Sequence, residues 1–348
     1  MVNYMLTTIA KSPQVSNLWI PADGTGGWPT YYGRESDPIY SVKCSWDDQS
    51  AQPCSVESYS GHAPVGAEIQ GGDPDAKGDR HLTFIDQFTG YEYYLWAVSF
   101  TGWPTVRSPF GAGGGDVSTL WSGYTNAMSG AGRAIGVGQG NDGRVGNLAG
   151  RIRVEELISA IAGQSFINHA LTIEVNCTNG RSVYPASTVT SGRPCHAIGL
   201  DDANAPPMGA RIYLAMTFAQ INALPVPEWK RVILRTLSKY GGIINDTGVD
   251  GYFVVQTESG NQYTSMNVAD KWLAFASCMK SGLNCAPGIG PEADWDCADS
   301  TTGTCQNGLG NYTGLFQDSN DGLNTWTTQV WNNLKVLDPC VSDGTCNP

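Results

Sequence analysis

Residues 81–96 read HLTFIDQFTGYEYYLW, two runs of aromatic and β-branched side chains around a turn-forming QFTG. That pattern predicts a β-hairpin. Pairing HLTFID with YEYYLW through a two-residue loop sorts the side chains by parity. One face carries His81, Thr83, Ile85, Glu92, Tyr94 and Trp96; the other carries Leu82, Phe84, Asp86, Tyr91, Tyr93 and Leu95. The second face is the greasier and is predicted to lie on a core, with Asp86 and Tyr91 at its rim. The first combines an imidazole, a carboxylate and two large rings, as does a trough in which rings stack on sugar C–H surfaces and polar groups take the hydroxyls. A half-solvated structural sheet has the same composition, so a binding role requires other strands to add to it.

Other strands offer such residues. GARIYLAMTF (209–218) alternates, with Ile212, Leu214, Met216 and Phe218 toward a core and Arg211 and Tyr213 away from it. YFVVQTE (252–258) puts Gln256 and Glu258 on one parity, and INHALTIEVN (167–176) begins a strand with His169. Two segments read as helices. RVEELISAIAG (153–163) has Val154, Leu157, Ile158 and Ile161 on one stripe and a glycine stop, and PEWKRVILRTLSKYGG (227–242) opens on proline and closes on a glycine pair.

With 43 glycines, 15% charged residues and a glycine-dominated stretch over 102–150, the chain reads as mainly β. The predicted fold is an antiparallel β-sandwich or jelly roll with two or three short helices and long glycine-rich loops. Residues 1–275 form the expected sandwich domain, loop-rich over 1–60. Residues 276–348 are expected to be a C-terminal appendage pinned by disulfides, because its apolar runs are too few for a core of its own.

The ten cysteines fall into close pairs, Cys44 with Cys54, Cys177 with Cys195, Cys278 with Cys285, Cys297 with Cys305 and Cys340 with Cys346. No pair has C-x-x-C spacing, so five local disulfides and an oxidising, extracellular compartment are the reading. Sequons at Asn176, Asn245 and Asn311 fit a secreted glycoprotein. Twenty basic against 32 acidic residues leave a formal charge of −12, which repels phosphate backbones and anionic headgroups. Nucleic-acid and membrane partners are therefore not expected. A polyanionic ligand requires a local cluster of basic groups that the linear sequence does not display. No run reaches membrane-spanning length, and the opening residues lack a signal-peptide apolar run.

Cleaving a glycosidic bond takes two carboxylates. Glu92 is the first choice, mid-strand among rings where burial raises a carboxyl pKa; Asp246, in INDTG, is the chosen partner, with Glu258, Asp79 and Asp86 as further candidates. His81, Tyr94, Trp96, His169, Arg211, Tyr213 and Gln256 are the candidate substrate-binding residues for a polysaccharide or oligosaccharide. The four histidines show no metal-binding spacing, and no cofactor motif follows a strand. A His/Tyr pair performing β-elimination on a uronic acid is the rival chemistry, and a non-catalytic glycan-binding or extracellular structural protein is the rival class.

HAPVGAEIQGGDPDAKGDRHLTFIDQFTGYEYYLW, NLAGRIRVEELISAIAGQSFINHALTIEV, PMGARIYL and LRTLSKYGGIINDTG together resemble a family of secreted bacterial proteins of unassigned activity. The resemblance spans roughly residues 60–260. YEYYLW also resembles the nucleophile strand of jelly-roll xylanases and endoglucanases, which implies a nucleophile role for Glu92.

Overall fold

The computed structural model describes residues 16–18, 28–44, 55–70, 80–102, 105–128, 141–186, 192–247, 253–281, 285, 312–313, 330 and 332–337. The molecule is built on two mixed sheets. Strands β1 (Ser16–Leu18), β8 (Leu171–Val175), β9 (Arg211–Leu214), β10 (Gly242–Thr247), β11 (Phe253–Val255), β12 (Tyr312–Thr313) and β13 (Leu334–Val336) form a seven-stranded sheet in the order β12-β1-β11-β8-β10-β9-β13. Strands β2 (Thr30–Gly33), β3 (Ile39–Cys44), β4 (Ser60–His62), β5 (Leu82–Asp86), β6 (Tyr91–Ser99) and β7 (Gly115–Asn126) form a six-stranded sheet in the order β2-β5-β6-β7-β3-β4.

An antiparallel architecture was the expectation, and the pairing departs from it. β1 with β11, β8 with β10, β2 with β5 and β3 with β7 are parallel. In the larger sheet β10 inserts between β8 and β9, so it runs with the first and against the second. A parallel neighbour needs a crossover connection. Here the chain makes it through β9 and two helices, Phe218–Asn222 and Glu228–Lys239.

The hairpin forms with the predicted sorting. Ile85 pairs with Glu92 and Thr83 with Tyr94 across β5 and β6, around a turn at residues 87–90. Its greasy face builds the smaller core, where Phe84 and Tyr93 stack with ring centroids 4.6 Å apart beside Leu82, Leu95 and Val117. The larger core lies on the seven-stranded sheet. Leu171, Ile173, Ile212, Leu214 and Ile244 pack there with helices Val154–Ala162 and Glu228–Lys239. Those helices form as predicted: Val154, Leu157 and Ile161 are buried along one stripe, and Trp229, Val232, Ile233 and Leu237 along the other. β9 buries Ile212 and Leu214 as expected but ends at Leu214. Thr217 then caps the next helix through a capping box with Gln220, which leaves Phe218 36% exposed instead of in the core.

Two predicted disulfides are present, Cys177–Cys195 and Cys278–Cys285. Cys44 is disulfide-bonded; Cys54, Cys297, Cys305, Cys340 and Cys346 lie outside the described residues, as do Asp79 and Asn311. Asn245 is wholly buried and donates to Gln256 Oε1 at 3.2 Å, so this sequon is closed to a glycan in the folded chain. No helix among the described residues is long and apolar enough to cross a membrane.

Candidate functional site

The polar face of the hairpin does not open to solvent, which corrects its reading as an exposed trough. His81 is 6% exposed, Glu92 2% and Tyr94 0%. Residues 141–152 cover it. Both Asn147 N–H and Leu148 N–H donate to Glu92 Oε1, at 2.6 and 2.8 Å, and Asn147 Nδ2 donates to Thr83 at 3.3 Å. The same segment bonds to the other sheet, where Ile152 N–H donates to the Gln256 carbonyl at 3.0 Å. Tyr94 lies so close to β7 that a Cβ at Gly123 would stand 2.5 Å from its ring. A polar layer is therefore sealed between the sheets.

Arg151 is the hub of that layer. It is 1% exposed, its guanidinium lies 4.2 Å over the Trp28 ring, and Trp28 stacks on His81 with centroids 3.8 Å apart. Burial pushes Arg151 down to about 9, against the attraction of Glu92, Glu258 and Asp246. Burial likewise raises Glu92, although two amides and Arg151 favour its charged form. Such a carboxylate is a bracket that fixes residues 147 and 148.

Asp246 has a different neighbourhood. Burial, then the Asp142 and Glu174 carboxylates, hold its carboxyl well above the ordinary range. Asp142 in turn accepts from Thr247. Glu92, in β6, and Asp246, in β10, are on different sheets, and both act on Arg151. Among the described residues no three His, Cys, Asp or Glu side chains are placed to share a metal ion.

The remaining predicted binding residues scatter. Trp96 faces Trp121 across β6 and β7. Arg211 donates to the Tyr240 carbonyl, at 2.7 Å from Nε, and so caps the C-terminus of a helix. Tyr213 pairs with Lys335 of β13, and Gln256 is buried against Asn245. His169 is tied to the helix Val154–Ala162. Its Nε2 lies 3.2 Å from Glu156, which pairs with Arg153.

Arg153 lines a cleft of about 650 Å³ beside the edge strand β2. One wall is Thr30, Tyr31 and Tyr32 with the turn that carries Arg34 and Asp37. Glu155, at the start of helix Val154–Ala162, lines the cleft too, together with Glu258, Gln262 and Tyr263. Met266, Val268 and Pro64 supply its apolar floor.

Local structure fixes each group. Beyond β11, Glu258 N–H donates to the Ile152 carbonyl at 3.2 Å, and Glu258 bridges Trp28 in parallel. Gly260 then lets the chain turn against Asp270, whose carboxylate would stand 2.1 Å from an added Cβ. One turn further, Gln262 Nε2 donates to Glu258 Oε2 at 2.8 Å, while its Oε1 takes the Thr30 N–H at 3.2 Å. Glu258 Oε1 is buried and has no hydrogen-bond partner. Tyr263 O–H stands 3.0 and 3.1 Å from the two Glu155 oxygens, and Lys271 Nζ is 2.6 Å from Oε1.

These surroundings drive the two carboxyls apart. Burial, only partly offset by Gln262, Arg153 and Arg151, lifts Glu258 to about 7. Glu155 goes the other way: burial opposes its charge, but bonds from Lys271 and Tyr263 outweigh it and hold its carboxyl below the ordinary range. Burial and the Glu258 charge together lift Tyr32 to about 12. One carboxyl that keeps its proton near neutrality beside one that stays ionised is the division of labour of an acid and its anionic partner. Sequence reasoning had Glu258 among its candidates but passed over Glu155, Arg153, Tyr32 and Tyr263. The first two belong to a helix read only for its apolar stripe.

No protein-family model, curated protein or solved structure matches this chain.

Proposed function

We propose that the protein is a secreted glycoside hydrolase whose acid is Glu258 and whose ionised carboxylate is Glu155. The observation that carries this reading is the opposed displacement of two carboxyls in one cleft, one with an unpartnered oxygen and the other braced by Lys271 and Tyr263. Glu258 donates its proton to the glycosidic oxygen as the bond to the anomeric carbon breaks. Charge developing on the sugar is met by Glu155. Water then supplies the hydroxyl at the anomeric carbon and returns a proton to the carboxyl pair. The Tyr32 ring, 40% exposed at the cleft wall, offers a face for a sugar ring.

Under this reading the two sheets are a decorated sandwich whose inner layer is polar, supported by the bonds of residues 141–152 to both. Secretion is supported by the disulfides, which persist in oxidising compartments. Glu92, first choice from the sequence, becomes a structural brace.

Reducing-end release from a panel of plant, fungal and bacterial glycans tests the proposal. Native chain is expected to release ends from at least one polymer, and Glu258→Gln and Glu155→Gln to lose about 10²–10⁴-fold of that rate. Binding without turnover on every polymer favours a lectin; an ultraviolet-absorbing unsaturated uronide as product favours a lyase.

A further inference from the structure

The charged groups of the cleft are nearly all spoken for. Arg153 is paired with Glu156 and takes a hydrogen bond with Tyr32. Glu155 is held by Lys271 and Tyr263. The Asp37 carboxylate accepts the Arg34 backbone N–H at 2.8 Å, closing the turn after β2. The exception is the Arg34 guanidinium. It lines the cleft, is exposed, and makes no side-chain hydrogen bond or ion pair among the described residues. Two positions before it, Tyr32 lines the same cleft and is 40% exposed.

We propose that the cleft takes a glycan bearing a sugar carboxylate, with Tyr32 against the sugar ring and Arg34 paired with the carboxylate at the mouth. This rests on the glycan reading above and names its substrate class. A planar guanidinium fork matches a carboxylate with two parallel N–H···O bonds. An anionic sugar must also enter against a chain of formal charge −12. The fold answers that by bringing Arg34 and Arg153, 119 positions apart (153 − 34), to one cleft. A protonated Glu258 removes one negative charge from the lining, and the Glu155 carboxylate is paired with Lys271.

Full-length Glu258→Gln protein, which binds without cleaving, is titrated by calorimetry with oligogalacturonate, glucuronoxylan fragments and the same oligomers after chemical reduction of their carboxyls to alcohols. Expected is at least about tenfold tighter binding of one acidic oligomer than of its reduced form, the scale of one charge-assisted pair. Adding Arg34→Gln should abolish the difference, and Arg34→Lys should restore part of it. Equal affinity for acidic and reduced oligomers, a preference that survives Arg34→Gln, or a stronger preference for sulfated glycans overturns the proposal. Failure of the hydrolase reading is distinguishable. Acid-selective, Arg34-dependent binding without turnover by the native chain rejects hydrolysis and keeps the subsite, whereas cleavage of neutral glycans without acid preference does the reverse.

Discussion

Gln262 donates to one oxygen of Glu258 at 2.8 Å and leaves the other buried without a partner. A carboxyl half-satisfied in this way is destabilising when charged and comfortable when neutral. Its folded pKa, about 7, lies above the ordinary 4.5. The folded state then binds the proton more tightly than the unfolded state between those values, so the Glu258 contribution to stability is greatest below about pH 4.5 and falls as pH rises through 7. The full loss is about 3 kcal/mol. Chemical denaturation of Glu258→Gln against the native chain checks it: the variant should lack this decline and be the more stable of the two at pH 8.

Glu92 should behave in the opposite manner. Glu92→Leu leaves the buried Asn147 amide and the half-buried Leu148 amide without an acceptor and Arg151 without its neighbour, and should cost about 2–4 kcal/mol. Glu92→Gln keeps an acceptor oxygen and should retain any hydrolytic activity per folded molecule. A loss of turnover in Glu92→Gln with unchanged stability would return the chemistry to the hairpin.

Arg151→Ala removes the cation around which Glu92, Glu258 and Asp246 are arranged. A buried carboxylate deprived of its counter-charge costs about 3–5 kcal/mol. Arg151→Met, which fills the space over Trp28 without supplying charge, should be as destabilising at pH 8 and milder at pH 5, where Glu258 holds its proton. Urea midpoints at the two pH values separate the outcomes.

His169 gives a pH signature of the reverse sign. Burial disfavours its charge, but Glu156 and the Ala170 carbonyl outweigh that and raise its pKa above 6.5. Stabilisation by the protonated ring is complete below pH 6.5 and fades as pH climbs through the raised value. His169→Gln should therefore cost about 1 kcal/mol at pH 5.5 and close to nothing at pH 9. Glu156, driven down to about 2 by His169 and Arg153 against its burial, contributes stability above pH 4.5 that disappears as pH falls toward 2. Thermal denaturation across that range should show both limbs.

Sequence carried the local design far. Alternation in HLTFIDQFTGYEYYLW sorted the hairpin faces correctly, since side-chain period in a strand is fixed by backbone geometry. Apolar stripes at 3.6-residue spacing located helices Val154–Ala162 and Glu228–Lys239 but not Lys271–Ser281, and short cysteine separations anticipated Cys177–Cys195 and Cys278–Cys285. Phe218 was misplaced because alternation continues past the point where Thr217 captures the Gln220 amide. Tertiary structure decided the rest. Whether a polar face meets water or another polar layer leaves no mark on its own composition, because Glu, Thr, Tyr and His suit both. Residues 141–152 chose the second by bridging the two sheets. The cleft joins β2, a helix start and the segment after β11, residues separated by more than a hundred positions, and the chain's local patterns encode contacts only a few residues apart.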